Sequence, residues 1–172
     1  EAEGRSVAGA LNFNAAPDAE VLYKAMKGLG TDEQAIIDVL TKRSNLQRQE
    51  IAKSFKAQFG KDLIENLKSE LSGNFERLIV ALMYSPVKYD AKELYDAMKG
   101  VGTRESVIIE ILASRTKAQI KEIIKAYKEG KCLGLGFLWS EHSRNEYGSD
   151  LEQDIKSETS GYLEQILVCL LQ

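Results

Sequence analysis

The chain is poor in the residues that most often do chemistry. Among its 172 residues are two cysteines, Cys132 and Cys169, and a single histidine, His142. Two thiols are too few for a disulfide scaffold, and neither has Cys or His companions at the spacing of a metal site, so a reducing compartment is expected. One histidine, placed at 142, leaves no Ser-His-Asp or Cys-His set to assemble, and the chain is read as a non-enzyme. No apolar run approaches the roughly 18 residues that span a bilayer. The opening EAEGRSVAGA also lacks the basic start and apolar stretch of a secretory signal. A soluble, intracellular, cytoplasmic protein is expected. An excess of one charge is missing as well: 23 Lys plus Arg stand against 26 Asp plus Glu, a net charge of −3. That balance gives no general pull toward the nucleic-acid backbone, and any attraction to anions must be local. The chain opens on Glu1 rather than methionine, as a processed chain or a fragment would.

What the chain has is apolar mass and internal repetition. Hydrophobic residues make up 44%, enough for the core of one ordinary domain or two small ones. Residues 23–31, YKAMKGLGT, match residues 95–103, YDAMKGVGT, at an offset of 72. The same offset lays AIIDVLTKRSNLQRQEIAKSFK, from residue 35, over VIIEILASRTKAQIKEIIKAYK, from residue 107, pairing Arg43 with Arg115, Gln47 with Gln119 and Phe55 with Tyr127. After Glu129 the register is lost; it resumes at an offset of 88 where LSGNFERLIVALM, from residue 71, meets TSGYLEQILVCLL, from residue 159. The 16 additional residues fall near 130–145, GKCLGLGFLWSEHSRN. A repeat of this length fixes the architecture before any motif is considered.

The periodicity of both copies is helical. Ile36, Ile37 and Leu40 form one stripe; Ile51, Phe55 and Phe59 a second; Leu63, Leu67 and Leu71 a third; Phe75, Leu78, Ile79, Leu82 and Met83 a fourth. Spacings of three and four predict a buried face for each. Pro17 suits the first turn of a helix reaching Met26, residues 27–30 break the chain, and Thr31 is the expected cap of the next helix, with Asp32 and Glu33 in its first turn. Ser44 or Asn45, Asp62 and Ser72-Gly73-Asn74 mark three further boundaries, giving five helices per copy. Pro86 interrupts the chain between copies. The expected organisation is all-α: a tail over 1–13, one repeat over 14–85, and a second over 86–172 that carries the 130–145 insertion.

Residues 26–31 join two helices through alternating glycines, which can take positive φ and turn successive carbonyl oxygens toward one point. Converging carbonyls attract hard cations, and calcium takes six to eight oxygen ligands, so a carboxylate and water are still required. The candidate carboxylate is Glu70, just before the turn at Ser72-Gly73. In an antiparallel bundle the first and fourth connections share one end, which puts Glu70 within reach. Thirty-eight residues separate Thr31 from Glu70, and 54 separate Thr103 from Glu158, the same interval plus the 16 inserted.

The pattern Gly-x-Gly-Thr, 38 residues, then an acidic residue, met twice within one repeated sequence, resembles the type-two calcium site of the annexin family. The resemblance spans residues 14–129 and 146–172, or 143 of 172. It implies five-helix repeats, each a four-helix bundle plus a crossing third helix. It also implies carbonyl ligands from Met26, Gly28 and Gly30 with Glu70 as carboxylate ligand, and a second calcium site from Met98, Gly100, Gly102 and Glu158. In the family the remaining coordination positions go to water or a lipid phosphate, so the expected partner is an acidic phospholipid membrane, bound peripherally through Ca2+. A single carboxylate neutralises half the charge of the ion, and affinity without lipid is expected on the order of 10⁻⁴ to 10⁻³ M. Linkage then requires lipid to tighten calcium binding as much as calcium tightens lipid binding. Lys27 and Lys99 favour anionic headgroups by roughly 1 kcal/mol each, and Leu29, Thr31, Val101 and Thr103 are further candidates for lipid contact.

Other motifs read more plainly. A P-loop and an EF-hand are both excluded by their missing patterns. Arg43 and Arg115 are assigned to packing, the stretches KSFK and KEIIKAYK to solvated helix faces, and Glu141 beside His142 to a polar loop. Cys169, inside ILVCLL, is expected to be a small buried hydrophobe, and Cys132 to be accessible. Phe137, Leu138 and Trp139 in the insertion pack loosely or add a membrane or partner contact. The family's core usually holds four repeats, so apolar surface normally met by the missing half is expected to favour self-association. By family analogy the roles include membrane scaffolding, inhibition of lipid-dependent coagulation and interference with phospholipases. The alternatives are a calcium-independent helical interaction scaffold and, less favoured, a lipid-hydrolysing enzyme.

Overall fold

The computed structural model describes residues 9–99, 101–129 and 150–172. Among them are ten helices and no strand. The chain divides into two compact units, Glu1–Ser85 and Pro86–Gln172. The first holds α1 (Ala15–Met26), α2 (Glu33–Leu40), α3 (Asn45–Phe59), α4 (Leu63–Glu70) and α5 (Gly73–Met83). The second holds α6 (Pro86–Met98), α7 (Glu105–Ser114), α8 (Lys117–Glu129), α9 (Leu151–Glu158) and α10 (Gly161–Leu171). The expected insertion, with Cys132, Phe137, Leu138, Trp139, Glu141 and His142, lies outside the described residues.

Local chemistry sets the helix starts. The Asn14 side chain accepts from the Ala16 amide at 3.1 Å, and Asp62 accepts from Ile64 and Glu65. Ser44 and Gln47 close a reciprocal capping box on α3. Each such cap satisfies an amide that the helix cannot, typically worth about 1 kcal/mol. The cap of α2 is not Thr31, as expected, but Asp32, whose carboxylate accepts from the Ala35 amide at 3.0 Å. The physical reason lies elsewhere in the fold: the Thr31 hydroxyl is turned to Glu70, so capping passes to the next residue.

The two units bury matching side chains. Leu22, Ile36, Leu40, Ile51, Leu67 and Ile79 are sealed in the first; their counterparts Leu94, Ile108, Leu112, Ile123, Ile155 and Leu167 are sealed in the second. Burying each aliphatic chain of this size contributes about 2 kcal/mol over leaving it exposed. Beside the core, Arg43 forks onto Asp18 at 2.5 and 2.9 Å. Arg115 does the same to Asp90 at 2.6 and 3.0 Å, and both aspartates are buried. These two arginines are packing residues that tie α1 to the end of α2 and α6 to the end of α7.

Two expected burials fail. Leu78 on α5 is 61% exposed, and its counterpart on α10, Ile166, is 60% exposed. The apolar stripe of α5 is wider than the surface packed against it, which takes up Ile79 and Met83 and leaves the opposite edge in solvent. Cys169 is exposed rather than buried. It lies two residues from each of the buried Leu167 and Leu171, and two steps of 100° carry a side chain to the far side of a helix. An apolar string is not an apolar face.

Candidate functional site

Each unit presents a helix connection whose ends are drawn together. In the first, the Asp32 amide donates to the Ala25 carbonyl at 2.9 Å, and the Lys27 amide donates back to Lys24. In the second, the Arg104 amide donates to Ala97 at 2.8 Å. Between these closures, Gly28 and Gly30 have φ of 115° and 86°, and Gly102 has φ of 88°. Side-chain-bearing residues rarely adopt such values, so these turns depend on glycine. A Cβ built at Gly28 or Gly30 would meet nothing within 4 Å; backbone conformation, not crowding, is what demands the residue type. Gly100 lies outside the described residues.

The carbonyls of Met26, Gly28 and Gly30 receive no hydrogen bond from any described residue, which leaves three oxygens of one short loop free to face an external partner. Glu70 stands beside them. It is the last residue of α4, and its Oε2 accepts from the Thr31 hydroxyl at 3.0 Å. In the second unit Glu158 ends α9, and its Oε2 accepts from Thr103 at 2.8 Å. The closeness of threonine and acid across 38 or 54 residues of chain is the tertiary fact on which the site turns. The motif spacing hinted at it, but the hydrogen bond itself was not foreseen.

The electrostatics favour a cation. Met26 ends α1 and Glu70 ends α4, so two helix C-termini, each equivalent to roughly half a negative charge, meet one carboxylate. All available donors are oxygen, which suits a hard cation such as calcium better than a soft one. No group of three or more His, Cys, Asp or Glu side chains that could hold a metal occurs among the described residues. Backbone oxygens are therefore the main ligands that a cation would find here, and the donor set fits calcium.

Around this point the loops are dressed for a surface. Leu29 is 108% exposed and Val101 109%, as far from the protein as side chains can stand. Lys27 and Lys99 are exposed beside them, their ammonium groups 5.7 and 5.0 Å from the ring centres of Tyr23 and Tyr95. No helix of the described residues is long and apolar enough to cross a membrane.

Two like units of five helices, each presenting a cinched glycine loop and an acid from the fourth helix, define a helical repeat protein whose loops are candidate cation sites. The family model for annexins matches residues 17–82, 89–130 and 141–170, and the chain belongs to the annexin family, whose members bind Ca2+ and phospholipid. It is 71% identical to annexin A8 of Bos taurus over all 172 residues, which is 48% of that protein. Among solved structures it is similar to a point mutant of annexin A8 with an intact N-terminus, with a TM-score of 0.85, 68% identity and coverage of 99% of this chain and 49% of that one. It is also similar to calcium-bound annexin (Sm)1, with a TM-score of 0.81, 37% identity and coverage of 98% and 46%. The chain thus spans about half the length of the relatives it matches. Annexins are generally non-enzymatic.

Proposed function

We propose that this chain binds acidic phospholipid surfaces peripherally and reversibly, with Ca2+ held at the loops of its two repeats, 14–85 and 86–172. Met26, Gly28, Gly30 and Glu70 hold one ion; Met98, Gly100, Gly102 and Glu158 hold the other. The bound ion would supply two positive charges and open coordination positions for a lipid phosphate. The residues of the chain do the rest. Thr31 and Thr103 orient the two carboxylates, Lys27 and Lys99 add local positive potential, and Leu29 and Val101 meet the headgroup boundary. The observation that carries this reading is the Thr31–Glu70 hydrogen bond and its repetition as Thr103–Glu158. We read the chain as cytoplasmic and without catalytic activity, and the apolar side chains Leu78 and Ile166, exposed on α5 and α10, as surface through which copies or halves associate.

Co-sedimentation with phosphatidylserine vesicles tests the reading. Pelleting is expected to require calcium, to reverse with chelator, and to weaken in Glu70→Gln more than in Glu158→Gln. Pelleting indifferent to chelator would favour the calcium-independent scaffold, and release of fatty acid would favour the enzyme.

A further inference from the structure

The residues that lead into α1 have a narrow seat on the first unit. Leu11 is fully exposed, while Phe13 packs against the core. Between Gly9 and Leu11 the backbone is held by one side chain: Gln47 Oε1 accepts from the Ala10 amide at 3.0 Å, and Gln47 Nε2 donates to the Ala10 carbonyl at 2.8 Å. The same Oε1 accepts from the Ser44 amide at 3.1 Å, the return half of the capping box that starts α3. A Cβ added at Gly9 would come within 2.7 Å of that oxygen, so the backbone lies this close only because Gly9 has no side chain. One carboxamide thus serves the tail and the helix start together.

The first turns of α3 hold more than the tail. Asn45 Nδ2 donates to Tyr84 O at 2.6 Å and Gln49 Nε2 to Met83 O at 2.5 Å. Arg48 Nη1 donates to Leu82 O at 3.2 Å and its Nε to Leu40 O at 2.7 Å. These carbonyls end α5 and α2, where no later turn of the same helix can satisfy them. Arg48 is buried, and its Nη2 has no partner among the described residues. A buried donor without an acceptor favours any rearrangement that brings it to water, so this clasp of α3 on α5 and α2 is held closed rather than relaxed.

We propose that residues 9–10 are a strap that keeps the clasp closed. Docking of the tail on Gln47, capping of α3 and retention of the α5 and α2 carbonyls form one cooperative unit. Withdrawing the tail takes two hydrogen bonds from the Gln47 carboxamide, frees it to leave Ser44, and lets the first turn of α3 fray away from Leu82, Met83 and Tyr84. The second unit has Ile120 in place of Arg48, a side chain with no donor, and its helix ends do not depend on the strap.

Native-state hydrogen exchange on the whole chain, resolved by residue, tests the coupling. Gly9→Ala displaces the Gln47 carboxamide without altering α3 itself, and Gly9 has no positive φ that would exclude alanine. In this variant the amides of Ser44, Arg48 and residues 82–84 are expected to exchange about fivefold faster, the effect of one lost cap or neutral hydrogen bond. Those of α7 should not change. Gln47→Ala should give the same pattern, and the double variant no further gain, because both substitutions act through one group. Faster exchange confined to the tail and Ser44, with residues 82–84 unchanged, overturns the proposal. So do additive effects in the double variant, unchanged exchange in both single variants, and a rise shared equally by α7, which would report loss of stability throughout the chain instead of an opened clasp.

Discussion

The two units share a frame and differ in their fittings. Their cores match position by position, their Arg–Asp clamps join residues 25 apart in each, and their threonine-to-glutamate hydrogen bonds repeat despite the longer path in the second. Four positions break the symmetry. Asp32 caps α2, while Arg104 at the matched place makes no side-chain cap on α7. Arg48 is buried in the first unit, with Nε donating to Leu40 O at 2.7 Å and Nη1 to Leu82 O at 3.2 Å, whereas the second unit has Ile120. Among the described residues Arg48 Nη2 finds no partner, and burial pushes the pKa of this guanidinium down. The Phe55 and Asn66 of one unit become the hydrogen-bonded Tyr127 and Asp154 of the other. What repeats is the geometry that brings loop and acid together; what varies is the chemistry at its margins.

Breaking a shared part should cost most. Asp18→Ala would leave the Arg43 guanidinium without its bidentate partner and is expected to destabilise the first unit by about 3 kcal/mol, read from urea unfolding. The same change at Asp90 should cost less, because the Arg115 side chain is 36% exposed and Arg43 only 21%. An equal cost at both would show that solvent does not discriminate between the clamps. Next comes a feature found in one unit only. Arg48→Ala removes two charged hydrogen bonds to the ends of α2 and α5 and should cost about 2 kcal/mol, whereas Ile120→Val, a lost methylene, should cost about 1 kcal/mol; the same urea titration compares them.

The third prediction concerns the site. Glu70→Gln keeps shape and removes the one carboxylate among the ligands proposed for the first loop, so the calcium required for half-maximal vesicle pelleting is expected to rise about tenfold, equivalent to about 1.4 kcal/mol. A rise of the same size in Glu158→Gln would make the two loops equal contributors. The smallest effect should be a gain: Arg104→Asp gives α7 the cap that α2 has, worth about 1 kcal/mol in a thermal melt. No gain would mean that the α7 amides are already satisfied by solvent.

Much of this was legible in the chain, and particular residues explain why. Capping side chains act within three or four positions, so Ser44 and Asp62 announce their helices locally. The stripes at Ile51 and Phe55, or Leu63 and Leu67, are long-range in effect but local in pattern. Thr31 was misread as a cap because its alternative partner, Glu70, is remote in sequence. Leu78 and Cys169 were misread because composition records how apolar a helix is, while burial depends on what packs against it.

By itself the amino-acid order determined the helices, the duplication and the glycine loops, since each follows from interactions among near neighbours or from internal comparison. Tertiary structure alone decided that Thr31 meets Glu70, that Arg48 is buried against helix ends, and that Tyr127 and Asp154 line a cavity beside Lys99. Those pairings join residues whose separation along the chain carries no force; only the packing of one helix on another brings their atoms within hydrogen-bonding range.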